Sequence, residues 1–236
     1  MRQHVIRVVG VALVLGVSAL VQAQTESAAE TTVRGHVAVI HQSKHESGNG
    51  DVVVWLTSSH PIPVTRPAPV ARLVQKNKQF LPHVIAVMVG TEIEFPNQDP
   101  FFHDVFSIYR GKPFDLGLYE SGAMRKVKFS QPGTSYIFCN IHPQMSAAVV
   151  ALPTPYFAVT AADGSFQIGH VAPGHYKIQV WYELASESDL APLSREFDVG
   201  PQGMTLSEIT IHSSDLAKEH LNKYGQQYQV DKPKNY

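Results

Sequence analysis

Glycine and proline divide this chain into short segments, and that division constrains its fold more than any other feature. The 236 residues include 16 glycines and 16 prolines, and little of the sequence between them follows a helical repeat. Residues 33–39, 92–95 and 126–129 instead alternate apolar and polar side chains, which is typical of strands with one buried face. Short strands separated by turn residues at this spacing predict an all-β fold built from Greek-key sandwiches or barrels.

The prolines also indicate how the predicted strands are grouped. Four prolines between positions 61 and 69 form a stiff connector, which predicts a domain boundary. We expect residues 68–152 to form one domain, and residues 31–58 and 153–212 to form a second, discontinuous one. Residues 213–236 are expected to be a helix and tail, because Ser213 begins a capping sequence before an apolar run that ends at Gly225.

The first 23 residues have the three-part pattern of a secretory signal peptide. Arg2 and Arg7 supply positive charge, residues 8–21 are apolar, and residues 21–23 fit a small-x-small cleavage site. The apolar run is shorter than the roughly 20 residues of a membrane span, and an uncleaved N-terminal anchor is the alternative interpretation. Cleavage predicts a periplasmic or secreted protein with no membrane span in the mature chain.

Charge and cysteine content exclude several classes of function. A net charge of -1 and a charged fraction of 17% indicate no basic patch, so we expect no nucleic acid as a partner. The single cysteine excludes an intrachain disulfide, a Cys-x-x-Cys redox pair, a four-cysteine iron–sulfur cluster and a two-cysteine dinuclear copper centre. Cys139 is therefore a buried inert thiol, a nucleophile or a metal ligand.

The segment from Cys139 to Met145 places three kinds of metal donor within one short stretch. Cys139 offers a thiolate, His142 an imidazole and Met145 a thioether, and a second imidazole, His103, lies upstream beside another predicted strand. Two histidines, one cysteine and a weak methionine are the trigonal-plus-axial donor set of a blue copper electron-transfer site. The pattern predicts copper, with a buried structural thiol as the alternative for Cys139.

These residues resemble a plastocyanin-type cupredoxin over roughly residues 70–152. The similarity is carried by His103 in its N-x-D-x-x-x-H context, residues 114–117, Pro132 and Gly133, and the C-x-x-H-x-x-M loop from Cys139 to Met145, whose spacing is most similar to that of amicyanin. The resemblance implies a Greek-key cupredoxin sandwich or barrel. It also implies His103, Cys139, His142 and Met145 as the ligands of one type 1 copper.

One residue departs from the cupredoxin pattern. Cupredoxins usually follow the first histidine with an asparagine whose amide braces the cysteine loop, whereas this chain has Asp104. A carboxylate there would favour Cu(II) electrostatically and lower the reduction potential, or the bracing hydrogen bond differs.

The flanking blocks carry a second resemblance. Residues 163–166 and 176–180 are similar to the closing strands of carboxypeptidase regulatory-like, transthyretin-type sandwiches, and residues 33–37 and 51–55 to their opening strands. This resemblance implies that the cupredoxin domain is inserted into that sandwich or packed between its halves. Such a module is usually structural, and a sugar- or protein-binding role is the alternative.

Three functions are compatible with these residues. A cupredoxin implies one-electron transfer to a redox partner protein such as a cytochrome or a periplasmic dehydrogenase. A copper carrier or sequestration protein could use the same ligands. An enzyme is less well supported, because the chain has no His-x-His pair for further copper sites, although a Cys–His hydrolase and a zinc site are conceivable. We expect no enzymatic activity.

Overall fold

A computed structural model describes residues 31–41, 48–60, 62, 70–108, 111–214 and 220–228. Strands dominate these residues, so the prediction of an all-β fold is confirmed. A short helix, α1 (Glu187–Leu190), runs into a 3-10 turn at Ala191–Leu193. The strands, in chain order, are β1 (Thr31–Ile40), β2 (Val53–Thr57), β3 (Ala71–Arg72), β4 (Val74–Lys76), β5 (Gln79–Leu81), β6 (Val84–Met88), β7 (Glu92–Pro96), β8 (His103–Ser107), β9 (Phe114–Tyr119), β10 (Met124–Lys128), β11 (Gly133–Cys139), β12 (Ser146–Leu152), β13 (Phe157–Val159), β14 (Ser165–Val171), β15 (Gly174–Trp181), β16 (Arg195–Val199), β17 (Met204–Thr205) and β18 (Ile209–His212).

Strands from both ends of the described chain form the first sandwich. In one sheet β1 lies between β14 and β17 and also pairs with β18, and the other sheet has the order β13-β2-β15-β16. Alternating residues of β1 and β15, such as Val33, Val37 and Ile178, point into the core between the sheets and are fully buried. The apolar residues of the alternating sequence pattern thus fill this core.

The chain between β2 and β13 forms the second sandwich. Its larger sheet has the order β6-β12-β11-β8-β9, its smaller sheet has the order β10-β7-β3, and β4 and β5 form a hairpin. The core between these sheets contains Ile93, Phe95 and Ile137, together with Cys139 and Met145. Strands β8 and β11 are antiparallel neighbours in which Cys139 lies opposite Val105. This pairing brings the start of β8 and the end of β11 to one edge of the sandwich.

An apolar layer joins the two sandwiches. Strand β2 directs Val54 and Leu56 into the first core, which Val52 also joins just before the strand, while Val53 lies in the layer between the sandwiches. Strand β12 is also buried on both faces, and it contributes alternate residues to the second core and to this layer. A strand buried on both faces is a continuous apolar run, as residues 52–54 and 147–152 are. The layer consists of Val53, Val84, Ala148, Val150 and Leu152, with Trp55, Tyr136 and Trp181 packed against it.

The structure adds one strand that the sequence analysis does not predict and corrects one prediction. The added strand is β9, where Gly117 has a positive φ of 67° and the pairing with β8 is shifted between Asp104 and Phe106. The predicted C-terminal helix is wrong over residues 220–225. Here the Asn222 side chain accepts hydrogen bonds from the Tyr224 and Gln226 amides and holds a turn.

Some sequence predictions fall outside the described residues. The predicted signal peptide, residues 1–23, and the part of the predicted helix at 215–219 both do so. Among the residues that are described, no helix has the length and apolar character needed to cross a membrane.

Candidate metal centre

His103 begins β8 and is completely buried. Its Nε2 lies 2.9 Å from Asp99 Oδ2, and because a carboxylate only accepts, His103 donates from Nε2, which in a neutral imidazole makes Nδ1 the acceptor nitrogen. A carboxylate that fixes the tautomer and orientation of an imidazole is the usual outer partner of a histidine metal ligand. Asp99 thus prepares Nδ1 of His103 for a metal.

Asp99 is itself held by the hairpin between β4 and β5. Its carboxylate accepts hydrogen bonds from the backbone amides of Asn77 (2.6 Å) and Lys78 (3.0 Å). Burial acts to raise the pKa of Asp99, but the hydrogen bonds from Lys78, His103 and Asn77 outweigh it and the pKa is lowered. The carboxylate is therefore charged over the physiological range and remains an acceptor for His103.

The segment from Cys139 to Met145 folds back on itself as a closed loop. The Met145 amide donates to the His142 carbonyl (2.9 Å), and the Cys139 amide donates to the Met145 carbonyl (3.3 Å). These two hydrogen bonds return the chain to the second core. The loop therefore presents Cys139 and His142 on the same side as His103.

Three of the four predicted ligands have their donor atoms together. Cys139 Sγ lies 3.6 Å from Nδ1 of His103 and 3.5 Å from Nδ1 of His142, and all three atoms lie within 4.8 Å of one another. Bonds of about 2.3 Å to sulfur and about 2.0 Å to nitrogen at a tetrahedral angle give a sulfur–nitrogen separation of about 3.5 Å. Both sulfur–nitrogen distances thus match those around one small first-row metal ion.

Protonation of these side chains follows from burial. Burial raises the pKa of the Cys139 thiol, and hydrogen bonds from the surrounding backbone offset this only in part. Burial and the nearby His103 lower the pKa of His142. The metal-free site therefore holds a protonated thiol and a neutral His142 imidazole at neutral pH, so that metal binding must displace the thiol proton.

Met145 is the fourth predicted ligand. Its side chain is completely buried and belongs to the same core cluster as Cys139. Its backbone closes the ligand loop, as described above. The role of Met145 as a fourth ligand stays a prediction.

Asp104 forms the bracing hydrogen bond with reversed roles. Its Oδ2 accepts from Asn140 Nδ2 at 3.0 Å, and its backbone carbonyl accepts from the Asn140 amide at 2.8 Å. Asp104 follows His103 and Asn140 follows Cys139, so these bonds connect the two ligand-bearing segments. The departure from the cupredoxin pattern at Asp104 is therefore matched by an amide donor at Asn140.

Several residues around the site were not assigned a role from the sequence. Phe101 contacts both histidine rings, with centroid distances of 5.4 Å to His103 and 5.5 Å to His142. The spacing of Asp99, four residues before His103, was the available signal for an orienting carboxylate. Residues 220–228 also pack against the ligand loop, and nothing local in their sequence indicates this.

His83, another histidine of the second sandwich, has partners outside the donor cluster. His83 lies between the sandwiches, where its Nε2 is 2.6 Å from Glu183 and its Nδ1 is 3.2 Å from the Ser146 carbonyl. In the described part of the chain, no other group of three or more histidine, cysteine or acidic side chains has the spacing of a metal site.

Comparisons with known proteins give partial structural matches. No protein-family model and no curated protein matches the chain. Among solved structures, it is similar to a copper-containing nitrite reductase from Thermus scotoductus (26% identity over 40% of this chain and 25% of that chain, TM-score 0.34). It is also similar to a purple cupredoxin from Nitrosopumilus maritimus (21% identity over 35% of this chain and 99% of that chain, TM-score 0.32), and to a reduced Cu(I) amicyanin variant (16% identity, 42% and 98% covered, TM-score 0.34). The matched part is under half of this chain, and TM-scores this low do not establish a fold relationship.

Proposed function

We propose that this protein is an exported one-electron carrier with a single type 1 copper. The observation that carries the proposal is the preformed cluster of Cys139 Sγ with the Nδ1 atoms of His103 and His142. The distances alone would suit several first-row ions. Copper is favoured by the donor types, because one thiolate, two imidazoles and a nearby thioether form the blue copper set.

Each proposed ligand has a distinct role. Cys139 would supply the thiolate, and His103 and His142 would each supply an imidazole nitrogen. Met145 would be the fourth, weaker ligand and would tune the reduction potential. When bound, copper supplies a Cu(I)/Cu(II) couple. The buried Asp99–His103 pair and the closed loop would hold the donors in one arrangement for both oxidation states, which would keep the rearrangement on electron transfer small.

His142 is the proposed point of electron exit. His103 and Cys139 are fully buried, whereas His142 is partly exposed between the exposed Ile141 and Pro143. The proposed partner is a redox protein such as a cytochrome or a periplasmic dehydrogenase. Export by the predicted signal peptide, a cupredoxin assignment for residues 68–152 and a transthyretin-type assignment for the first sandwich belong to the same proposal.

Burial of the ligands favours electron transfer over copper delivery. A carrier exchanges its metal through accessible ligands, but His103, Cys139 and Met145 are completely buried. A hydrolase is disfavoured because the Cys139 thiol, whose pKa is raised, is a poor nucleophile. We therefore propose that the protein is not an enzyme.

Reconstitution with copper tests the proposal. Metal-free protein titrated with Cu(II) should develop an intense thiolate-to-copper absorption band in the visible range that saturates at one ion per chain and bleaches reversibly on reduction. Zn(II) should bind without colour and compete for the site. Copper binding without that band, or a Cys139 thiol that stays reactive in the copper-loaded protein, would contradict the proposed ligand set.

A further inference from the structure

We propose that the C-terminal strap, residues 220–228, positions the metal-ligand loop, and that Lys223 and Tyr228 are its main positioning residues. The strap follows the first sandwich in sequence, yet it contacts the second. The copper readouts below rest on the proposed function, whereas the metal-free readouts are independent of it.

The strap first binds the backbone of the ligand loop at two places. The Tyr228 hydroxyl donates to the Cys139 carbonyl at 3.0 Å. His220 Nε2 lies 2.6 Å from the Pro143 carbonyl, and because a carbonyl only accepts, the imidazole donates there. These two carbonyls bracket the segment that contains His142. The strap therefore restrains the part of the loop that carries two of the proposed ligands.

An aromatic contact supports the same arrangement. The His220 ring stacks on Phe138, the residue before Cys139, with a centroid distance of 4.0 Å and an interplanar angle of 24°. The Tyr228 ring meets His220 edge-on at 5.2 Å. Strand β11 is thus covered by the strap at the point where it delivers Cys139 to the site.

Lys223 links the strap to both ligand-bearing segments. Its backbone amide donates to Asn140 Oδ1 at 3.1 Å, and its ammonium lies 3.0 Å from Asp104 Oδ2. The side chains of Lys223 and Asp104 are only 14% and 8% exposed. Breaking one partner of such a buried ion pair leaves an uncompensated charge and is strongly unfavourable. Asp104 also accepts from Asn140, so Lys223 neutralises the carboxylate that ties the two segments together.

The strap forms these hydrogen bonds with loop carbonyls, with Asn140 and with Asp104, and not with the proposed ligating atoms. The strap residues are therefore positioning residues and not ligands. Their removal should loosen the ligand loop and change the field at the metal, while the donor set stays complete. Loss of Lys223 would leave the negative Asp104 unneutralised beside the site, which favours Cu(II) and lowers the reduction potential.

Two pairs of variants of the full-length protein test this inference. Tyr228→Phe removes one oxygen from the strap, and Tyr224→Phe makes the same change at a residue that is 71% exposed. Lys223→Met removes the buried ammonium, and Lys128→Met makes the same change at an exposed position of β10. Hydrogen–deuterium exchange of the peptide containing residues 140–145 and the reaction rate of Cys139 with a thiol reagent are measured without metal.

We expect Tyr228→Phe to speed loop exchange and thiol reaction roughly two- to tenfold. It removes the hydroxyl that donates to the Cys139 carbonyl and lies 3.2 Å from His220 Nδ1. Lys223→Met should speed loop exchange and thiol reaction roughly tenfold to a hundredfold, because it also leaves Asp104 unpaired. The two control variants should match the wild type. With copper, both strap variants should release the ion faster to a chelator, and Lys223→Met should lower the reduction potential.

The possible results are distinguishable. Strap variants that exchange and react like their controls would overturn the strap inference, whatever copper does. Faster exchange in a protein whose wild type develops no visible copper band would support the strap and reject the proposed function. If Lys223→Met does not fold, the comparison of Tyr228→Phe with Tyr224→Phe by itself tests the strap inference, because neither change alters packing volume appreciably.

Discussion

Tyr119 and Gln75 form a buried polar pair beneath the site, and its energetics can be predicted from its geometry. Tyr119 lies opposite His103 in the β8–β9 pairing, and both Tyr119 and Gln75 are completely buried. The Tyr119 hydroxyl donates to Gln75 Oε1 at 2.5 Å and lies 3.3 Å from the Phe95 carbonyl. Gln75 Nε2, in contrast, has no hydrogen-bond partner. Burial raises the pKa of Tyr119 well above its usual range, so the hydroxyl remains a donor.

The two single substitutions should therefore have unequal effects. Tyr119→Phe leaves both amide atoms of Gln75 buried and unpaired, which we expect to lower the free energy of unfolding by about 1–3 kcal/mol. Gln75→Leu removes the unpaired amide nitrogen. The Tyr119 hydroxyl can then still donate to the Phe95 carbonyl. We expect its stability to lie within about 1 kcal/mol of the wild type. The double variant replaces both polar groups with apolar ones and should be more stable than Tyr119→Phe alone by about 1–2 kcal/mol.

Urea unfolding of the four metal-free proteins, followed by circular dichroism, measures this cycle. The midpoint of the transition gives each difference once the slopes are shown to be equal. Equal costs for Tyr119→Phe in the glutamine and leucine backgrounds would refute the reasoning. A Gln75→Leu variant less stable than Tyr119→Phe would show that Gln75 Nε2 is well paired in solution.

Three further predictions concern the ligands and the sandwich contact. Cys139→Ser should abolish the visible copper band but retain the β circular dichroism spectrum, at a cost of about 1–3 kcal/mol for burying a hydroxyl; a surviving band would contradict ligation by Cys139. Met145→Gln should keep copper bound and shift the reduction potential, as measured by redox titration, and complete loss of binding would mean that Met145 is more than a weak axial ligand. The hydrogen bond that His83 donates to Glu183 raises the pKa of His83. The stability that this contact contributes is therefore full below pH about 6.5 and is lost as the pH rises through the raised pKa. Because the His83 side chain is 41% exposed, this contribution to the free energy of unfolding is under about 1 kcal/mol. The thermal stability of His83→Gln should lack this part of the pH dependence. A pH profile of stability unchanged from the wild type would contradict the contribution of His83.

The sequence by itself determined the strand content and the donor types. Alternation over β1, β7 and β10 marks the residues that face a core, because side chains in a strand alternate between its two faces. The short segment from Cys139 to Met145 contains three types of metal donor close together in the sequence. For that reason it could be identified without a structure.

Only the tertiary structure decided what surrounds those donors. Strand pairing places His103 next to Cys139, since β8 and β11 are neighbours in the sheet but far apart in the chain. The hydrogen bond between Asp99 and His103 depends on the β4–β5 hairpin, whose backbone amides fix the Asp99 carboxylate. The ion pair between Lys223 and Asp104 joins segments more than a hundred residues apart. Local periodicity reports which face of a strand is buried, whereas long-range pairing, tautomers and buried ion pairs depend on packing between segments that no local pattern connects.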